Sequence, residues 1–113
     1  MYNIFKTLYF IIPGKKHLYT FAKLFYTPSA RFSGYLKFQG LFSLLLSKSL
    51  SVKIYNDNST LTSLLFWLGI KGYERCSLDT WCKLSAKSKT TFDIGANFGL
   101  FGLITKAYSP KAN

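Results

Sequence analysis

Acid is what this chain has least of. Asp57, Glu74, Asp79 and Asp93 stand against 15 lysines and arginines, and the formal net charge is +11. All four acids lie in the second half; residues 1 to 56 hold seven lysines and Arg31 with none. A first half of that kind offers no carboxylates for acid–base chemistry. Its charge instead favours an anionic partner, or else forms a solvated basic surface. Histidine is nearly absent too. Lone His17, beside Lys15 and Lys16, has no assignable Ser, Cys or carboxylate partner and reads as a surface base. Only Cys76 and Cys82 are present, six residues apart and with no clustered histidine, which excludes a zinc-type centre and predicts reduced, half-buried thiols. No apolar run approaches the roughly 20 residues that cross a bilayer. The first dozen residues carry only Lys6 as a basic charge and lack a small-residue cleavage site, so a signal peptide is not read there. The expected location is cytoplasmic, with membrane-surface contact open to the basic half.

Against this background Thr91-Phe-Asp-Ile-Gly-Ala-Asn-Phe-Gly-Leu-Phe-Gly102 stands out. Thr90 to Ile94 is a short β-prone run and predicts a buried strand. Gly95 can take φ > 0 and lets a ligand reach the main chain. Asn97 tolerates a left-handed conformation and can cap a helix behind it. From Phe98 onward Phe98, Phe101, Leu103 and Ile104 recur at helical spacing, which predicts a helix to about Tyr108, stopped by Pro110. The unpaired first-turn amides of such a helix attract a carboxylate or phosphate. Asp93 offers the opposite charge, suited to an ammonium or a hydroxyl. A dinucleotide fingerprint begun at Gly95 needs glycines where Asn97 and Leu100 stand, and no Gly-Lys-Ser/Thr triplet supports a P-loop. The alternative without a ligand is a strand–turn–helix whose glycines only permit tight packing.

What remains is Asp-x-Gly-x-x-x-Gly, the first motif of class I S-adenosylmethionine-dependent methyltransferases. Phe92-Asp-Ile-Gly-Ala-Asn-Phe-Gly-Leu-Phe resembles the Asp-Ile/Val-Gly-Ala-Asn-x-Gly signature of the FkbM-type family. Upstream, Leu65-Phe-Trp-Leu-Gly-Ile-Lys-Gly-Tyr-Glu74 is similar to a Gly-x-Tyr-Glu-like element common before that family's first strand. The resemblance runs from about Ser51 to Lys111. It implies methyl transfer from S-adenosylmethionine to a hydroxyl of a glycan or natural product. It implies an α/β fold: an incomplete doubly wound, Rossmann-like methyltransferase domain over 51–113, preceded by a basic, amphipathic α-helical segment over 1–50. It also implies cofactor contacts from Asp93, Gly95, Ala96, Asn97, Phe98 and Gly99. Glu74 has two readings, a further cofactor or substrate contact and a helix cap. A doubly wound sheet needs more strand–helix units than 113 residues hold, so the chain is expected to be an N-terminal portion, truncated or part of a split gene and inactive alone. No general base is assignable.

The rest of the chain supplies expected elements. Phe5, Leu8, Tyr9 and Ile12 form one helical stripe, and Leu18, Phe21, Ala22 and Phe25 a second. Pro13-Gly14 separates the two helices and Pro28 ends the second. These stripes are expected to pack on the missing part of the domain, the alternative being a membrane surface beside the lysines. A third helix is predicted within Tyr35–Ser47, a strand over Ser51–Tyr55, a turn at Asn56–Ser59, and a helix over Leu61–Leu68 closed by Gly69. Ser77 is expected to cap a further helix that turns Leu78, Trp81 and Cys82 inward, with Asp79 near its positive end. The competing function is a small basic module attached to anionic membrane, less readily to nucleic acid, with the glycine turn purely structural.

Overall fold

The computed structural model describes Leu8 and residues 12–111. The expected helix over Phe5–Ile12 lies outside the described residues apart from Leu8 and Ile12. The fold is mixed α/β, with one two-stranded antiparallel sheet. Helix α1 (Lys15–Ala22) starts where Gly14 turns at φ +81, and Tyr26 N still bonds Ala22 O, so a further turn follows it. Of the second expected stripe, Leu18, Phe21 and Phe25 are exposed and Ala22 is half-buried against the core. The helix instead buries Lys15 and Tyr19, one turn apart. Tyr19 meets the rings of Phe38 at 6.2 Å and Trp67 at 5.4 Å. Lys23 fixes that orientation, because its ammonium donates to Phe66 O and lies over the Phe66 ring. Desolvation there holds the Lys23 pKa below its ordinary value.

A short helix α2 (Ala30–Ser33) is capped by Ser29, whose Oγ accepts from Phe32 N at 3.3 Å. Strands β1 (Gln39–Leu45) and β2 (Ser51–Asp57) then form a hairpin, pairing Phe42 with Ile54 and Leu44 with Val52. The helix expected within Tyr35–Ser47 is therefore corrected to a strand. Phe38, Phe42, Leu44 and Leu46 are buried while Leu41 and Leu45 stay out, a period of two that a run rich in Leu and Phe conceals. β2 matches its expectation, extended by two residues into the anticipated turn. The hairpin crosses residue 50, so the basic half and the second half share a sheet.

Helix α3 (Thr60–Leu68) begins at a cap: Ser59 Oγ accepts from Thr62 N at 3.1 Å. Asp57 Oδ1 accepts from Ser59 N at 2.9 Å, which holds the Asp57 carboxyl below its usual range. Gly69, at φ +66, closes α3 as expected. A 3-10 turn (Gly69–Gly72) leads to α4 (Arg75–Ser85). Its N-cap is Glu74 at φ +40 rather than Ser77, and Asp79 sits 3.9 Å from Arg75 one turn into the helix. The three-residue displacement follows from the tight Gly72-Tyr73-Glu74 turn, which launches the helix before the serine is reached. Leu78 and Cys82 face inward as expected, with Trp81 half-buried. The last helix, α5 (Leu100–Tyr108), ends where the sequence indicated.

One apolar cluster joins these elements apart from α2, from Tyr19 and Phe38 through Phe42, Ile54, Leu65, Phe66 and Trp67 to Leu78, Leu100 and Ile104. The expected strand Thr90–Ile94 does not form. The segment carries no ladder, and Phe92 and Ile94 are 81% and 96% exposed. A strand exists only by pairing, and among the described residues β1 and β2 pair with each other instead. A parallel, doubly wound sheet is not among the described elements.

Candidate functional site

The glycine turn is held by the contact of α5 with α4. Trp81 Nε1 reaches Phe101 O and Thr105 Oγ1, each at 2.9 Å, and its ring meets Phe101 edge-on at 5.1 Å. Ser85 Oγ lies 3.1 Å from Thr105 Oγ1, and Tyr108 Oη donates to Leu46 O at 3.4 Å. Leu100 and Ile104 seal the helix into the core. Trp81→Phe keeps the ring and removes the donor. It is expected to lower unfolding free energy by about 1 kcal/mol, measured by urea titration.

Between the extended segment and α5 the backbone takes three left-handed positions: Gly95 at φ +77, Asn97 at +50 and Gly99 at +81. Gly99 N closes the turn on Ala96 O at 2.8 Å, and Leu103 N bonds Gly99 O. A Cβ built on Gly95 or Gly99 would meet nothing within 4 Å. These glycines are therefore required by backbone conformation, not by close packing, and the main chain around them is open.

Helix α5 begins at Leu100, two residues later than the sequence suggested. Its N-cap is Gly99, without a side-chain cap bond, so Asn97 serves the turn and not the helix end. The residue that does serve the helix end is Asp93. Its Oδ2 accepts from Gly102 N at 3.2 Å, satisfying an amide of the first turn and placing a negative charge at the positive end of α5. Sequence reading missed this bond. Its signal was an acid close before a helix start in a chain with few acids.

Asp93, Gly95, Ala96, Asn97, Phe98 and Gly99 thus lie along one contiguous turn in front of α5. Glu74 is placed apart from them, at the N-terminus of α4, where its carboxylate and burial together push the Tyr73 hydroxyl up. Glu74 occupies the N-cap position by its backbone alone: Leu78 N bonds Glu74 O at 2.9 Å, and its side chain makes no cap bond.

Both thiols are free, Cys76 exposed and Cys82 buried. Burial, with the charge of Asp79, pushes the Cys82 thiol up and keeps it protonated. Among the described residues no group of three or more His, Cys, Asp or Glu side chains could hold a metal ion. No helix among them is long and apolar enough to cross a membrane. No protein-family model matches the chain, and no curated protein or solved structure is detectably similar to it.

Proposed function

We propose that residues 51–113 form the cofactor-binding start of an S-adenosylmethionine-dependent O-methyltransferase acting on a hydroxyl of a glycan or small natural product. One observation carries the reading. One of only four acids stands directly before three left-handed backbone positions whose main chain is open, at the head of a helix. Such a turn suits a zwitterionic amino-acid group. Asp93 gives one carboxylate oxygen to Gly102 and keeps the other for an ammonium. The amides that open α5 from Leu100 attract a carboxylate. Gly95, Ala96 and Gly99 offer bare main chain to the methionine portion, and Asn97 and Phe98 flank it.

The bound cofactor supplies a methyl group on a sulfonium. The chain's own contribution is positioning: it orients the sulfonium for in-line attack and balances charge at both ends of the amino-acid group. In this reading Thr90–Ile94 is the first strand of a parallel sheet. Its exposed Phe92 and Ile94, and the buried but unpaired Thr91 hydroxyl, are what a neighbouring strand and helix would cover. A basic module that uses the turn only structurally accounts for the glycines by their positive φ and for Asp93 as a cap, and leaves only the open main chain beside them without a use.

Incubation with methyl-labelled cofactor and a panel of hydroxylated acceptors tests this. The protein extended in frame past Asn113 is expected to label an acceptor, and the 113-residue chain to label none. Failure of the extended protein to bind the cofactor contradicts the proposal. Turnover by the shorter chain contradicts the expectation that it is inactive alone.

A further inference from the structure

The first helix leaves its apolar side uncovered. Leu18, Phe21 and Phe25 follow one another at i, i+3 and i+7 along α1 and the turn after it, with Leu24 beside them; they are 62%, 63%, 79% and 73% exposed in the order Leu18, Phe21, Phe25, Leu24. The Phe21 and Phe25 rings meet edge-on, centroids 5.4 Å apart, and so present one aromatic ledge. The opposite side of the helix is already used, through Tyr19 against Phe38 and Trp67 and Lys23 against Phe66. Repacking cannot bury both sides at once. Lys16 lies on that used side too, its stem against Gly40 of β1, so the ledge itself carries no lysine of α1; the charge comes from the first half as a whole, where no acid occurs before Asp57.

We propose that this face of α1 docks on the surface of an anionic lipid bilayer, the helix lying in the interface with Phe21 and Phe25 at the level of the headgroups. The proposal is independent of the methyltransferase reading. Three features select this occupant. Aromatic and leucine side chains gathered on one exposed helix side are the composition that enters the headgroup–acyl boundary. The acid-free first half adds attraction, each lysine near an anionic surface strengthening binding by roughly fivefold. A second copy of the chain would instead bring two acid-free basic segments together. A nucleic acid would use the charge and an aromatic ring but leave Leu18 and Leu24 in water.

Co-sedimentation of the 113-residue chain with phosphatidylcholine vesicles, with and without phosphatidylglycerol, tests this. The chain is expected to bind the anionic vesicles at least about tenfold more tightly than the neutral ones, and less tightly as salt rises. The double variant Phe21→Ser/Phe25→Ser, both sites exposed, should keep its melting temperature and lose about tenfold in vesicle affinity. No vesicle binding, equal binding to neutral vesicles, or undiminished binding by the folded double variant overturns the proposal. So does a dimer in sedimentation that the double variant dissolves, or retention on an oligonucleotide, where either occurs without vesicle binding.

Discussion

Leu65→Ala is expected to remove about 3–5 kcal/mol of folding stability, the largest effect of any single change considered. Leu65 lies in the middle of α3 and is fully buried, in the same cluster as Phe42 and Ile54 of the hairpin and Leu78 of α4. The loss has two parts, the transfer free energy of the deleted carbons and the cavity they leave. The cavity term stays large here because Phe66 and Trp67, the next two residues of α3, are held elsewhere: Phe66 packs edge-on with Phe38 at 4.6 Å, and Trp67 Nε1 donates to Leu36 O at 3.2 Å. Neither ring is free to fill the gap. Domains of this size have roughly 5–15 kcal/mol in total, so the variant should lose about a fifth or more of its stability. Urea unfolding followed by tryptophan fluorescence measures it. A loss below about 1 kcal/mol would mean that α3 is not the centre of the core.

The second large effect concerns ligand affinity. Asp93→Asn is expected to weaken binding of S-adenosylmethionine about tenfold or more in the extended protein, because a charge-assisted hydrogen bond contributes roughly 1.5–3 kcal/mol. The substitution separates the two uses of Asp93. Asparagine keeps a carbonyl oxygen that can still accept from Gly102 N, so the helix start is retained. What is lost there is the charge at the α5 terminus, about 0.3–1 kcal/mol of stability. Gly95→Ala acts differently. There is room for its methyl group, so no clash is expected within the chain. The cost comes from φ +77, which an alanine adopts with strain of about 1–2 kcal/mol, and from a methyl group standing where a ligand would meet bare backbone.

Much of the second half was legible because its signals are local. Gly69 after an apolar run stopped α3, and Tyr108 ended α5 ahead of Pro110. The left-handed turn at Gly95 and Asn97 followed from residue types that tolerate it. What the sequence hid depends on partners. β1 read as helix because leucines and phenylalanines serve either period, and only pairing with β2 decides between them. Thr90–Ile94 has strand composition but no neighbour among the described residues to pair with. On α1 both sides carry apolar residues, so periodicity could not say that Tyr19 would be buried and Phe21 left out. At the candidate site the residues were legible, but their geometry was not. The bond from Gly102 N to Asp93 and the helix start at Leu100 depend on how the turn closes, and no single residue type encodes that.

The most direct test of the glycine turn as a cofactor site is calorimetric titration of S-adenosylmethionine into the extended protein and two variants, with the melting temperature of each. Asp93→Asn should lose about tenfold or more in affinity with little change in melting temperature. Phe101→Leu, which loses the edge-on contact with Trp81, should melt lower and bind nearly as tightly. Unchanged affinity in a folded Asp93→Asn protein would show that Asp93 only caps α5, and would contradict the methyltransferase reading.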